Sequence, residues 1–258
     1  MAHDNWIVYR RLNPQACLRL FCFSYAGGGA SVYRTWANNL PLAVELCPVQ
    51  LPGRENRLKE PAYTQLEPLV ESLLQALQPY LDMPFAFFGH SMGGLISFEL
   101  ARRLRRSETR PAQLFISGRR APQVPDREPP IHHLPKAEFI KELRRLQGTP
   151  EAVLQNAELM ELVLPCLRAD FSVCETYIHS ASAPLECPIS VFGGVDDSKI
   201  TLEDLAAWRE HTQGALVLRT FPGDHFFLHT ARASLLQALH SDLVDVLKQV
   251  TAQQFALY

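Results

Sequence analysis

A serine at position 91 stands in a sequence pattern that can make it a nucleophile. The segment Gly89–Gly93 reads Gly-His-Ser-Met-Gly and fits the motif G-x-S-x-G. An apolar segment, Phe85–Phe88, precedes the motif, and a helical pattern begins at Met92. The serine is therefore predicted to lie on a sharp strand-to-helix turn, where glycines permit close backbone approach and helix N–H groups face the site. A structural serine is the competing interpretation, which this strand and helix disfavour.

A serine hydroxyl needs a neighbouring base to take its proton, and a histidine C-terminal to the serine is expected to do so. Among nine histidines, His225 follows a predicted strand through the turn Pro222–Asp224. It thus lies in a loop at the carboxyl end of a strand, within reach of the serine. His229, one helical turn later, is the alternative base.

The imidazole in turn needs a carboxylate that fixes its tautomer. Two acids, Asp196 and Asp197, follow the predicted strand that ends in Phe192–Gly194. The spacing G-x-x-D counted from Gly194 selects Asp197 and gives the chain order Ser, Asp, His, with Asp196 as the alternative. The preceding strand, which ends in Phe115–Gly118, offers no acid.

Attack on a carbonyl also needs two donors for the oxyanion. The backbone N–H of Met92 follows the nucleophile and is the first predicted donor. The second is expected from the glycine-rich segment Ala26–Gly29 after the first strand, with the N–H of Ala26 as the candidate. A plain loop and a phosphate cradle are the other interpretations of this segment, and the latter lacks the Lys and Ser/Thr of a P-loop.

Short apolar segments alternate with helical patterns along most of the chain, which predicts a mostly parallel sheet with helices on both faces. Strands are predicted over 18–24, 44–50, 85–89, 114–117, 189–192 and 215–221, and helices over 32–40, 66–77, 231–250 and from 92 and 201. Thr64 and Glu67 fit a capping box ahead of the second helix. A nucleophilic serine on a turn in such a sheet predicts an α/β-hydrolase fold.

The alternation stops between residues 122 and 184. This segment has a proline-rich start and helical patterns near 136–147 and 151–180, without a predicted strand. An all-helical insertion at this place commonly covers an active site, so we interpret residues 1–258 as one domain with a helical lid insertion. An insertion that only adds stability is the alternative.

Composition narrows the function classes. A net charge of −2 argues against nucleic-acid binding, and no apolar run has the roughly 18–20 residues of a membrane span. The N-terminus lacks a signal-peptide pattern. The cysteines are scattered in apolar surroundings and are interpreted as buried thiols of a cytoplasmic protein, at positions Cys17, Cys22, Cys47, Cys166, Cys174 and Cys187.

Several segments together resemble the stand-alone type II, or editing, thioesterases of non-ribosomal peptide and polyketide synthesis, and the resemblance extends to the medium-chain thioesterase of animal fatty acid synthesis. The matching segments are Tyr25–Gly28, Gln50–Glu55, Phe88–Gly94, Leu167–Asp170, Phe192–Gly194 with Asp197, and Pro222–Phe226. The resemblance implies a triad of Ser91, Asp197 and His225, with the N–H groups of Ala26 and Met92 as the oxyanion hole. One departure is Ser24-Tyr25, where the family usually has Pro-His, which bears on the shape of the substrate entrance.

The same resemblance implies the substrate and the partners. The expected reaction is hydrolysis of acyl thioesters on the phosphopantetheine arm of carrier proteins by a monomeric enzyme, which needs no metal or cofactor of its own. Arg54 is expected to brace a loop rather than to catalyse. A medium-chain fatty acyl thioesterase, an oxygen-ester lipase or esterase, and a non-catalytic acyl- or partner-binding protein are the alternatives.

Two basic clusters stand outside the predicted site. The first, Arg102, Arg103, Arg105 and Arg106, lies on the helix after the serine, and the second, Arg119 and Arg120, follows a strand. The favoured interpretation is a solvated surface. The alternative is that one of the clusters steers an acidic carrier protein.

Overall fold

A six-stranded parallel sheet lies at the centre of the protein. The computed structural model describes residues 5–105 and 109–255. The strands are β1 (Leu18–Phe23), β2 (Val44–Pro48), β3 (Phe85–His90), β4 (Gln113–Ser117), β5 (Ile189–Gly194) and β6 (Leu216–Phe221). Their order is β2-β1-β3-β4-β5-β6, and every neighbouring pair is parallel. The predicted α/β class is confirmed, with β1 and β2 ending slightly earlier than expected.

Helices cover both faces of this sheet. The α-helices are α1 (Leu66–Leu77), α2 (Met92–Leu104), α3 (Lys136–Leu146), α4 (Glu151–Leu154), α5 (Ala157–Glu175), α6 (Leu202–Ala206), α7 (Phe227–Thr230) and α8 (Arg232–Phe255). Side chains alternate between the two faces of each strand. Phe21 and Phe87 pack with α1 and α2, whereas Phe88 and Phe115 pack with α8. Burial on both faces explains why the central strands are mostly apolar.

Two local predictions were wrong. The helix expected over 32–40 is replaced by two 3-10 helices, Ala30–Tyr33 and Trp36–Asn39. Tyr33 ends the first of these helices and Trp36 begins the second, and their buried rings lie 4.9 Å apart between centroids.

The predicted capping box is also wrong. Helix α1 begins at Leu66, so its N-cap is Gln65, and no side chain caps it. Thr64 thus precedes the N-cap position by one residue. The third helical residue is Pro68, which has no N–H for a capping side chain to accept.

The segment between β4 and β5 is helical, as predicted, and contains α3, α4 and α5. It has its own buried apolar cluster, which consists of Ile131, Phe139, Leu143, Leu154, Met160 and Leu167. Leu159 and Leu162 of α5 remain exposed. The segment therefore packs partly on itself rather than only on the sheet.

The cysteines are free thiols, but Cys17 is exposed, so the expectation that all six are buried was wrong. Cys17 directly precedes β1, outside the apolar interior of the sheet. Over residues 5–105 and 109–255, no helix has both the length and the apolar character to cross a membrane.

Candidate active site

Ser91 lies on a strained turn between β3 and α2. Its backbone has φ 53° and ψ −110°, a conformation that costs about 1–3 kcal/mol for a residue with a side chain. The Ser91 N–H donates to the carbonyl of Ser117 at the end of β4, at 2.8 Å. A Cβ atom on Gly89 would lie 2.0 Å from the carbonyl oxygen of Gly93, and one on Gly93 would lie 2.0 Å from that of Phe23. The two glycines flanking the serine are thus required by close backbone contact, as the motif predicts.

Asp197 and His225 meet at the carboxyl ends of β5 and β6. Nδ1 of His225 lies 2.7 Å from Oδ2 of Asp197, and Oδ1 of Asp197 accepts the N–H of Lys199 at 2.9 Å. Burial alone raises the pKa of Asp197, but the hydrogen bond and charge of His225 and the N–H groups of Lys199 and Ile200 hold its pKa below the ordinary value. Asp197 is therefore a carboxylate in position to hold His225 in the Nδ1–H tautomer.

The alternative acid and base have other partners. The carboxylate of Asp196 accepts the N–H of Gly223 at 3.2 Å and ties the loop after β5 to the loop after β6. Nε2 of His229 lies 3.0 Å from the hydroxyl of Tyr25. Burial, and then the charge of Arg232, lowers the pKa of His229. Asp196 and His229 thus contact Gly223 and Tyr25 and do not form the expected acid–base pair.

The ring of His90, the residue before the serine, packs against the ring of His225. It is fully buried, its Nδ1 lies 2.9 Å from Oγ of Ser117, and its ring centroid is 5.3 Å from that of His225. Burial, followed by the charges of His225 and His229, places the pKa of His90 well below its ordinary value. His90 is therefore neutral and adds no charge beside His225.

The segment after β1 forms a turn against the serine. The N–H of Gly28 donates to the carbonyl of Tyr25 at 2.9 Å, and Gly27 has φ 77°, which a type II turn requires at its third residue. Ala26, the second residue of the turn, lines the same cavity as Ser91. Tyr25, at the position where the family usually has a histidine, also lines that cavity.

Arg54 braces this turn, as expected. Its guanidinium donates to the carbonyl of Gly28 at 3.2 Å. The side chain of Gln50, four residues earlier, accepts the N–H of Ala30 at 2.9 Å. The segment that contains Gln50 and Arg54 therefore holds the glycine-rich loop in place through hydrogen bonds.

Sequence reasoning missed the role of Asp170 on α5. Its carboxylate forms a two-pronged ion pair with Arg54, with both N–O distances at 2.7 Å, and accepts the N–H of Gly27 at 2.7 Å. Burial lowers the pKa of Arg54, but the charge and hydrogen bonds of Asp170 outweigh it and raise that pKa. The available signal was an acid in the apolar stripe of α5, between Leu167 and Val173.

A cavity of about 660 Å³ lies between the strand ends and the helical segment. Ser91, Asp197 and His225 line one side. The helical segment adds apolar side chains to the lining, namely Leu143, Leu146, Leu167 and Phe171, together with polar ones such as Arg145 and Glu175. This volume lies within the range of about 300–1,000 Å³ that is usual for small-molecule sites. The arrangement can place an apolar chain beside Ser91.

Four arginines of the two basic clusters have partners within the chain. Arg102 pairs with Glu99, Arg103 with Glu67, and Arg120 with Asp126, while Arg105 donates to the carbonyl of Ala183. Arg106 lies outside the described residues. Carrier steering by these arginines stays a prediction.

The chain is similar to known proteins over most of its length. Residues 18–243 match the family model of the thioesterase domain. The chain is 49% identical over 245 residues to the gramicidin S biosynthesis protein GrsT of Aneurinibacillus migulanus, which covers 95% of this chain and 96% of that protein. It is 43% identical over 231 residues to the thioesterase PikA5 of Streptomyces venezuelae, which covers 88% and 82%.

The fold is also similar to that of a solved structure, the type II thioesterase BorB from the borrelidin biosynthetic cluster. The TM-score is 0.85 at 36% identity, over 93% of this chain and 98% of that one. The sequence match, the relatives and the shared fold all indicate the same family. This chain belongs to the thioesterase domain family.

Proposed function

We propose that the protein is a stand-alone type II thioesterase that hydrolyses stalled or aberrant acyl groups from the phosphopantetheine thiol of carrier proteins in non-ribosomal peptide or polyketide synthesis. Its membership of the thioesterase family and its similarity to GrsT and BorB support this function. The observation that carries the proposal is the 2.7 Å contact between His225 and Asp197 beside the cavity that Ser91 lines.

In the proposed first half-reaction, Ser91 Oγ attacks the thioester carbonyl while Nε2 of His225 takes its proton. The N–H groups of Ala26 and Met92 stabilise the oxyanion, and each such donor is worth about 2.7–4 kcal/mol in a comparable site. The carbon–sulfur bond then breaks, and the proton on His225 passes to the departing thiolate. Asp197 stabilises the imidazolium without taking its proton.

In the second half-reaction, water replaces the carrier thiol. His225 takes a proton from water as the hydroxyl attacks the acyl–Ser91 ester, and it returns that proton to Ser91 Oγ as the carboxylic acid leaves. These residues supply the base, the nucleophile and the donors, so the proposed mechanism involves no metal or cofactor of the enzyme. The phosphopantetheine belongs to the substrate.

The helical segment over about 122–184 is proposed to act as a lid within one domain. The apolar lining from α3 and α5 supports this role, because it gives an acyl chain a surface to contact. The proposed enzyme is a cytoplasmic monomer that meets carrier domains from solution, and its free thiols are consistent with a reducing compartment.

Hydrolysis profiling tests the proposal. Acyl groups from acetyl to long-chain and aminoacyl are loaded on a carrier protein, and their hydrolysis is compared with that of matched oxygen esters. We expect turnover of several different carrier thioesters, faster than of the oxygen esters. Faster cleavage of oxygen esters would indicate an esterase, and a sharp preference for one long product would contradict an editing role.

A further inference from the structure

Asp170 connects the helical segment to the turn that carries Ala26. It belongs to α5, it is 2% exposed, and its Oδ2 accepts the backbone N–H of Gly27 at 2.7 Å. The hydrogen bond between Gly28 and Tyr25 closes the turn but does not use this N–H. The central peptide of the turn is therefore held from outside, by a side chain of the insertion.

Helix α5 makes a second contact with Gly27, through Leu167. Leu167, one helical turn before Asp170, packs on Gly27 so closely that a Cβ atom there would lie 2.4 Å from Leu167 Cδ2. On the other side of the turn, Arg54 donates to the carbonyl of Gly28. Helix α5 therefore contacts the turn through two side chains, those of Leu167 and Asp170.

The negative charge of Asp170 is compensated by Arg54. A lone carboxylate beside a developing oxyanion would destabilise it, but Arg54 bonds both carboxylate oxygens at 2.7 Å. Arg54 and Asp170 are almost fully buried, at 6% and 2% exposed. The pair therefore presents a fixed acceptor to Gly27 with little net charge.

We propose that Asp170, neutralised by Arg54, is a positioning residue that holds the Tyr25–Gly28 turn so that the N–H of Ala26 points at the oxyanion. The helical segment then serves catalysis directly, because one of its residues orients the oxyanion hole. The inference rests on the proposed function, since it takes Ala26 as a donor.

The test compares two conservative variants at buried carboxylates, because truncating one member of a buried ion pair leaves an uncompensated charge. Asp170→Asn is the test variant. Glu45→Gln is the matched control, since Glu45 is also buried and bonded to arginines, Arg10 at 3.0 Å and Arg19 at 2.9 Å. It lies at the opposite end of the sheet, near the start of β2. The double variant Arg54→Met/Asp170→Leu removes both charges without leaving one unpaired.

Turnover of an acyl-carrier thioester, its pH profile and the affinity for a trifluoromethyl ketone analogue of the substrate are measured for each folded variant. For Asp170→Asn we expect kcat to fall by about 10- to 100-fold, less than the 10²–10³ for a donor removed outright. KM should change less than about twofold. The pH profile should not change, because His225 is untouched. The ketone should bind more weakly, by a factor similar to the fall in kcat. Glu45→Gln should keep its kcat.

Two results would overturn the inference. One is wild-type kcat in folded Asp170→Asn or in the folded double variant. The other is a fall in kcat matched by an equal fall in the fraction of molecules that a fluorophosphonate titrates, which would make Asp170 merely structural. Failure of the wild type to cleave carrier thioesters would instead refute the proposed function, and fluorophosphonate labelling rates would still compare the variants.

Discussion

The two ends of the parallel sheet carry similar polar groups but use them differently. At the amino end, Arg19 and Glu45 form a buried pair, and Gln113 donates to Ser190, which donates to Asp242. At the carboxyl end, Ser91 is strained and, with Asp197 and His225, lines a cavity. Burial of charge is thus common to both ends. Backbone strain beside an open cavity distinguishes the end where ligands of parallel sheets usually bind.

The largest expected effect is at the carboxyl end. Ser91→Ala removes the proposed nucleophile, so kcat for a carrier thioester should fall about 10⁴- to 10⁶-fold. Steady-state hydrolysis checks the fall, and circular dichroism melting checks that the variant is folded. A folded variant that retains more than about 1% of wild-type kcat would be incompatible with the nucleophile.

Asp197→Asn should have the next largest effect. The amide favours the wrong tautomer of His225, so kcat should fall about 10³- to 10⁴-fold with the fold intact. Because the folded-state pKa of Asp197 lies below its ordinary value, this carboxylate stabilises the protein above about pH 4 and loses that effect as pH falls through the folded pKa. The difference in unfolding free energy between wild type and variant should therefore shrink in acid, as pH-dependent urea unfolding can measure.

The amino end should respond in the opposite way. Glu45→Gln leaves Arg10 and Arg19 without a buried carboxylate, so the free energy of unfolding should fall by about 2–4 kcal/mol while kcat stays within about twofold. Asp82→Asn is the matched control. Asp82 also pairs with Arg19, but its side chain is 66% exposed, so we expect a loss below about 1 kcal/mol. A tenfold loss of kcat in Glu45→Gln would remove the contrast between the two ends.

The smallest effect concerns His211, which lies near the amino end, ahead of β6. Burial, followed by the charges of His179 and Arg102, lowers the pKa of His211 to about 4. The unfolded chain therefore takes up a proton between about pH 6.5 and 4 that the folded protein does not, and stability falls as pH falls through this window. His211→Gln should remove about 1–2 kcal/mol of this loss without changing kcat at pH 7. Equal pH slopes for the two proteins in urea unfolding would contradict the prediction.

The sequence predicted most of the sheet, the turn at Ser91 and the proximity of Asp197 and His225, because these features follow from local patterns and from strand topology. The apolar runs define the strands, and the glycines around Ser91 are required by contacts within one turn and its neighbouring strand. Asp197 and His225 each follow a strand of a parallel sheet, whose carboxyl ends meet at one edge. Their proximity therefore follows from topology alone.

The features that the sequence did not predict depend on contacts between distant segments. Asp170 lies 116 residues from Arg54, and the apolar pattern of α5 does not identify the partner of a buried acid. The helix expected over 32–40 was wrong because Tyr33 and Trp36 pack their rings together on Phe88, which overrides helical periodicity. The spacing from Gly194 favoured Asp197 over Asp196, and the hydrogen bond to His225 is made by Asp197.

Trapping of the acyl-enzyme tests the central claim most directly. The protein is mixed with an acyl-carrier thioester, quenched in acid within one turnover, digested and analysed by mass spectrometry. We predict the mass of the acyl group on the peptide that contains Ser91, and its absence in Ser91→Ala. Thioester turnover at the wild-type rate in folded Ser91→Ala, or an adduct on another residue, would contradict Ser91 as the nucleophile.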